Sequence, residues 1–270
     1  MLTLLPTPIG NIADITYRTI DNIQKADLIL CEDTRVTKHL LNILKDRYNL
    51  KLQDVTFLSF HEHNGKERLE KIKESLKDKN VVYMSDAGMP VISDPGQLLV
   101  KYCQDNNIEY DVLPGASAAP LIYAASGFDS GKFFFYGFLP NKGKERTKEL
   151  NKICSNSFDT IIYEAPHRII KLIEEITKID ENREIFLAKE LTKRHQKYYR
   201  LSAIKLLEEL KKSAIKGEWA LVIKGKEEKT KTLDLSDILS LDIPPKAKAK
   251  LISKVTGKPI KECYEELRVK

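Results

Sequence analysis

A rhythm of short apolar runs, each followed by a polar cluster and then by a helical repeat, restricts the fold of this 270-residue chain more than anything else in it. Leu2–Leu5, Leu28–Cys31, Val55–Phe60, Val81–Met84 and Tyr110–Leu113 have strand length and strand composition. Apolar residues return at helical spacing between them, through Ile15, Thr19, Ile20 and Ile23, then over Val36–Leu44, then at Leu69, Ile72 and Leu76, and again from Gln97 to Asn106. Strands alternating with helices over such a length predict an α/β fold with a mostly parallel sheet covered on both faces. Ligands bind such sheets beyond the carboxyl ends of the strands. Every polar cluster sits at such an end: Thr7–Asn11, Glu32–Arg35, His61–His63, Asp86–Asp94 and Gly115–Ser117.

The fourth cluster is the most constrained. Ser85–Gly96 reads Ser-Asp-Ala-Gly-Met-Pro-Val-Ile-Ser-Asp-Pro-Gly, with two Asp, two Gly and two Pro in twelve residues. That composition makes a rigid turn whose backbone can approach a ligand closely. Strand-to-helix connections usually take about two to six residues, and longer ones tend to carry function. An ornate surface loop is the plain alternative.

A second unit is expected after the fifth strand, with strands at Phe133–Phe138, Thr160–Tyr163, Glu184–Ala188 and Trp219–Lys224 and helices at Glu145–Ile153, Ile169–Lys178 and Ala203–Lys211. From the residues alone the break falls at Pro114–Gly115 or within Gly127–Lys132. Beyond Gly225 the polar run Lys226–Lys231 reads as a linker, and the final residues as two short helices around Thr256-Gly257-Lys258, a helix-turn-helix or an ordinary hairpin.

Composition and charge set further bounds. Apolar residues at 42% and charged residues at 31% describe a soluble globular protein, and no apolar run approaches bilayer length. The start of the chain lacks a basic, signal-like segment, so a cytoplasmic protein is expected. Cys31, Cys103, Cys154 and Cys263 lie far apart without a C-x-x-C pair, which points to buried thiols rather than a disulfide framework. The net charge of +6 is modest, but Lys189–Lys212 holds eight Lys or Arg against three Glu, and Lys142–Lys148 four against one. Such patches suit a polyanion, nucleic acid above all, or are solvated helix faces.

Several chemistries find little support. Gly10 precedes the acidic pair Glu32-Asp33 by about the distance of a dinucleotide fold, but Thr7–Asn11 carries one Gly where the fingerprint needs three. His61 and His63 lack an evident third metal ligand, and as loop residues or substrate contacts they serve better than as a metal site. Ser85, Ser93 and Ser117 lack a nucleophile-elbow context. In the second unit, Tyr163–Arg168 and Lys189–His195 concentrate charge at strand ends, as structural ion pairs or as a site that holds an anion and manages a proton.

Taken in order, Thr-Pro-Ile-Gly-Asn at Thr7–Asn11, Glu-Asp-Thr-Arg at Glu32–Arg35, the twelve residues from Ser85, Pro-Gly-Ala-Ser-Ala at Pro114–Ala118, Gly-Phe-Leu-Pro at Gly137–Pro140 and Lys-Glu-Leu-Thr-Lys at Lys189–Lys193 resemble the RNA-modifying branch of the tetrapyrrole methylase-like superfamily of S-adenosylmethionine enzymes. The resemblance spans nearly the whole chain. Ala165 and Lys189 are mild departures from its pattern. It implies two α/β domains with the cofactor cleft between them, 1–114 and 115–226, followed by a linker and small helical domain, 227–270. It further implies methyl transfer from S-adenosylmethionine to the ribose 2'-hydroxyl of a decoding-region cytidine in 16S rRNA of the small ribosomal subunit, usually by a homodimer. Cofactor contacts carry over to Ile9, Asp86, Ala87, Gly88, Ile92, Ser117, Ala118, Tyr163 and, less directly, Ala220. An activated methyl group needs alignment and a proton acceptor, without a metal or covalent nucleophile. Glu32, Asp33 and Glu190 are the expected carboxylates for that proton, Arg35, Arg168, Lys189 and Lys193 the expected phosphate holders, and His61 a substrate contact. A tetrapyrrole methylase and a non-catalytic RNA-binding protein are the competing readings, and the basic clusters and helical tail speak against the first.

Overall fold

The computed structural model describes residues 1–61, 64–92, 94, 96–226 and 234–268. They form two compact units, Met1–Lys226 and Glu227–Lys270.

The first unit contains two five-stranded sheets. In the first, β1 (Leu2–Leu5), β2 (Leu28–Cys31), β3 (Thr56–Ser59), β4 (Val81–Met84) and β5 (Tyr110–Val112) lie in the order β3-β2-β4-β1-β5, all parallel. The strands β1, β2 and β4 are buried along their whole length, as apolar runs without alternation require. Leu2, Leu4, Leu28, Leu30, Val81 and Tyr83 face one core, while Leu5, Ile29, Val82 and Met84 face the other. Covering helices are α1 (Tyr17–Gln24), α2 (Thr34–Tyr48), α3 (Gly65–Ile72), α4 (Ser75–Asp78) and α5 (Gln97–Asp105). The helix expected from Val36 starts two residues earlier because the Asp33 side chain caps it, accepting from the Arg35 amide. The fifth strand stops at Val112, one residue short of the expected end.

Helix α6 (Ala118–Ser126) leads to β6 (Phe133–Phe138), α7 (Gly143–Ser155), β7 (Asp159–Glu164), α8 (Pro166–Ile179), β8 (Glu184–Lys189), β9 (Lys197–Ser202), α9 (Ala203–Lys211) and β10 (Trp219–Ile223). The second sheet has the order β6-β7-β10-β8-β9 and is mixed: β6 and β7 are parallel, and the other neighbours are antiparallel. Its Ile162, Ile185, Leu187, Leu221 and Ile223 face a core built with α7, α8 and α9. The other face, Ile161, Phe186, Ala188, Ala220 and Val222, packs against Ala119 and Ile122 of α6 and against Ile9 from the first half. Strand β9 and helix α6 were not expected. The first is polar and exposed enough to read as part of a basic patch, and the second is a nearly uniform apolar run without helical contrast.

The second unit consists of α10 (Leu235–Ser240), α11 (Pro245–Thr256) and α12 (Ile260–Arg268) around Ile238, Ala249, Ile252 and Cys263. Gly257, at φ +73°, ends α11, and α10 adds a helix to the expected hairpin. All four cysteines are buried and free, and no helix among the described residues is long and apolar enough to cross a membrane.

Candidate active site

Where Ile9 of the first half meets the second sheet, the carboxyl ends of β1, β2, β4 and β5 face those of β6, β7 and β8 across a cavity of about 380 Å³. Small-molecule sites range over roughly 300–1,000 Å³. All nine positions expected to hold the cofactor, Ile9, Asp86, Ala87, Gly88, Ile92, Ser117, Ala118, Tyr163 and Ala220, lie on its wall, together with Glu32.

Two loops make the first half of that wall, and backbone bonds lock them side by side. Thr7 N–H donates to Gly88 O (3.0 Å), and Gly88 N–H donates to Thr7 O (3.1 Å). Gly88 sits at φ +83°, where a Cβ would also approach Ile9 Cγ2 to 3.0 Å. The Ser85 hydroxyl donates to Gly88 O at 2.8 Å. Further along, Asp94 accepts from the Val91 amide (2.8 Å), the Gly96 amide (2.9 Å) and the Tyr83 hydroxyl (2.9 Å). Val91 is held at φ +76°, a left-handed conformation that a β-branched residue keeps only under such bracing. Ser93 and Pro95 lie outside the described residues.

The carboxylates expected to share one role separate in space. Glu32 lies on the cavity wall and accepts the Asp86 amide at 2.9 Å, while the Asp33 amide donates to Asp86 Oδ1 at 3.1 Å. Burial pushes the carboxyl pKa up for both Glu32 and Asp86. Asp33 is instead tied to Arg35, with Arg35 Nη2 2.6 Å from Asp33 Oδ2, and these hydrogen bonds hold its pKa down to about 2. Glu190, at φ +54°, accepts from the Glu218 amide (2.8 Å), and this bond, helped by Lys193 Nζ at 3.1 Å, holds its carboxyl below the ordinary range. Neither Asp33 nor Glu190 lines the cavity: one caps a helix, and the other links the loop after β8 to the start of β10.

The cations expected to hold phosphates are occupied by internal partners. Lys193 bridges Glu190 and Glu218 (3.0 Å to the latter), and Lys189 donates to Ala214 O at 3.3 Å and lies over the Trp219 ring. Arg168 Nε stands 2.7 Å from Glu164 Oε1, and its Nη1 donates to Asn141 Oδ1 at 3.0 Å. Glu164, fully buried on the cavity wall, also receives Nη1 and Nη2 of the buried Arg146, each at 3.2 Å. His61 sits past the edge strand β3, with Nε2 3.0 Å from Asn64 Nδ2. It does not line the cavity, and Glu62 and His63 lie outside the described residues. Among the described residues, no group of three or more His, Cys, Asp or Glu is arranged to hold a metal ion.

What the cavity can hold follows from its lining. Glu32, Asp86, Asp94, Glu164 and Glu218 reach it, and no Lys, Arg or His among the described residues does. Glu164 and Glu218 are already matched by Arg146, Arg168 and Lys193, so Glu32, Asp86 and Asp94 are the carboxylates left to favour a cationic ligand, and the apolar walls suit its organic body, as in a sulfonium nucleoside. The buried Trp219 indole N–H lacks a hydrogen-bond partner among the described residues, so the wall holds a donor in reserve. Burial moves the Tyr163 hydroxyl up to about 12, which keeps it neutral near pH 7. Sequence did not single out Phe138, Ala188 or Trp219, whereas Met89 and Asp94 belong to the strand-end loop placed on the rim, and Glu164 and Leu191 to the two charged strand-end clusters of the second unit. Phe138 lay within the quoted Gly-Phe-Leu-Pro motif, and Trp219 is the single tryptophan of the chain.

The sequence profile of the family described as Tetrapyrrole (Corrin/Porphyrin) Methylases matches residues 1–206. Relatives named ribosomal RNA small subunit methyltransferase I include those of Campylobacter fetus, 46% identical over 99% of this chain and 99% of the relative, and Helicobacter pylori, 43% identical over 98% and 96%. The Thermotoga maritima relative of the same name is 42% identical over 84% of this chain and 99% of its own length. Among solved structures, a diphthine synthase superposes with a TM-score of 0.61 at 14% identity, covering 83% of this chain and 89% of its own. A cobalt precorrin-4 methyltransferase does so at 0.59 and 14%, covering 83% and 94%. At such identities these two speak for the fold alone.

Proposed function

The chain belongs to the tetrapyrrole (corrin/porphyrin) methylase family, and from that premise we propose that it is an S-adenosylmethionine-dependent enzyme that methylates RNA of the small ribosomal subunit. The observation that carries this reading is the acidic, organic-lined cavity that gathers all nine expected cofactor positions and a single expected catalytic carboxylate, Glu32. The high identity to the ribosomal RNA methyltransferases over nearly the full chain favours RNA over a tetrapyrrole as substrate. In finer detail, the acceptor is the ribose 2'-oxygen of a decoding-region cytidine in 16S rRNA, and the enzyme works as a homodimer in the cytoplasm.

S-adenosylmethionine, when bound, supplies a methyl group already activated on a sulfonium. The protein's own task is then to hold, orient and remove one proton. The braced Ser85–Gly96 loop and the Thr7–Gly88 bridge fix one side of the cavity, which suits alignment of an acceptor oxygen. Glu32 takes the hydroxyl proton. Its raised pKa makes it a stronger base than an exposed carboxylate, and the Asp86 amide on Oε1 fixes its direction and leaves the other oxygen for the substrate. Asp33 and Glu190, held in their ionised forms by cations and amides, support the walls instead.

Calorimetry with S-adenosylmethionine, followed by transfer of tritiated methyl groups to small subunits from a strain lacking the gene, tests the reading. Micromolar binding and label in 16S rRNA are expected. No binding at millimolar cofactor would refute a methyltransferase of either kind, and binding without RNA labelling would refute the substrate.

A further inference from the structure

Of the cations selected by sequence, Arg168, Lys189 and Lys193 are half-buried against internal partners and Arg35 is exposed but paired with Asp33, which sets apart the cations that carry no ion pair. Among the described residues, Lys142, Lys144 and Lys148 are exposed and have no ion pair. They follow directly on Phe138, which lines the cavity and is nevertheless 55% exposed. Its ring meets that of Tyr163 at 5.6 Å and 67°, and the rest is open to solvent at the cavity mouth. The segment between these residues is not a loose loop. Pro140 O accepts from Arg146 Nη1 at 3.1 Å, and Asn141 Oδ1 accepts from Arg168 Nη1 at 3.0 Å. Both arginines are anchored in turn on Glu164, in the cavity wall. The buried charge cluster therefore pins the chain from β6 to α7 against the site. A separate open groove of about 590 Å³ runs along α7, with Lys144, Lys148 and Lys171 among its lining and Glu175 paired with Lys171 and Arg146.

Resting on the reading of the protein as an RNA methyltransferase, we propose that Phe138–Lys148 is the RNA-receiving lip of the cavity, on which Phe138 stacks against the target base while Lys142, Lys144 and Lys148 take the flanking phosphates. A ribose inside folded RNA reaches a cavity only when its nucleotide is unstacked, and an exposed aromatic ring at the entrance replaces the stacking that is lost. Lysines without carboxylate partners are the groups that release counterions on meeting a phosphate chain. The single acidic residue between Lys142 and Lys148 is Glu145. Arg146 and Arg168 act as positioning residues for this lip and do not touch the phosphates.

The test is steady-state methylation of small subunits from a strain lacking the gene, with calorimetric S-adenosylmethionine affinity as the control for folding. The triple variant K142A/K144A/K148A is expected to raise the KM for subunits by at least tenfold and to flatten the salt dependence by about two units of slope, as loss of three single-strand phosphate contacts requires, with cofactor affinity within threefold of wild type. Phe138→Ala is expected to lower kcat/KM for subunits by about ten- to a hundredfold, and Phe138→Trp to restore most of it. Unchanged KM and salt slope in the triple variant would overturn the lysine part. Phe138→Trp as impaired as Phe138→Ala, or cofactor binding lost in parallel with methylation, would overturn the stacking part. A wild-type protein that binds cofactor but leaves subunits unlabelled would overturn the functional reading and the lip with it.

Discussion

Glu32 accepts the Asp86 amide from the wall of the cavity, whereas its neighbour Asp33 turns outward to cap α2 and pair with Arg35. The chemistry of the two follows their surroundings. Glu32→Gln keeps an oxygen for the Asp86 amide and removes the base, so kcat is expected to fall by about 10²–10⁴ with cofactor affinity nearly unchanged. The wild-type rate should fall as pH drops through the Glu32 pKa, at a pH above the ordinary carboxylate range, because only the ionised form takes a proton. Asp33→Ala is expected to act on stability and leave kcat within threefold. Its folded pKa lies below the unfolded value, so the stability lost in the variant is present at neutral pH and disappears as pH falls towards about 2, as urea unfolding at several pH values will read. Sequence located the Glu32–Arg35 cluster at a strand end, but which acid turns inward depends on where α2 begins. The same limit applies to the cations: Lys193 finds Glu218 only through the pairing of β8 with β10, and Arg146 finds Glu164 only through the packing of α7 on the second sheet.

The loop after β1 and the loop after β8 touch so closely that a Cβ on Gly10 would come within 2.8 Å of Leu191 O and 2.6 Å of Thr192 Oγ1. The Asn11 amide donates to that same Thr192 hydroxyl at 3.0 Å. Ile9 and Leu191 beside this contact both line the cavity. Gly10→Ala should therefore cost about 1–3 kcal/mol of stability through overpacking and weaken cofactor binding at least tenfold, measured by thermal unfolding and calorimetry. Beneath the opposite wall, Arg146 and Glu164 form a buried pair. Arg146→Ala leaves Glu164 with Arg168 as its remaining cation and takes away a partner of Glu175, so it is expected to destabilise by about 1–3 kcal/mol, and a double-mutant cycle with Glu164→Gln to show coupling between the two. At this scale the first sheet was legible, since its central strands β1, β2 and β4 are apolar runs that match a parallel sheet buried on both faces, with the half-exposed β3 and β5 at its edges. The second sheet was legible only in part, because β9 lies at an edge with exposed Lys197, Tyr198 and Arg200 and lacks the apolar contrast that marks a strand.

Each compact unit has its own core, four apolar clusters in Met1–Lys226 and one in the helices after Asp234. The cavity and its hydrogen bonds lie wholly in the first. A chain ending at Lys226 is thus expected to unfold cooperatively and to bind S-adenosylmethionine within threefold of the full chain, and calorimetry on the two proteins checks it. Methylation itself is the most direct test of the account as a whole. Small subunits from a strain lacking the gene would be incubated with the enzyme and labelled S-adenosylmethionine, and the 16S rRNA digested to nucleosides. The expected result is label in 2'-O-methylcytidine from a single decoding-region position, abolished or reduced at least a hundredfold by Glu32→Gln. Label on a base, or full activity in the Glu32 variant, would contradict it.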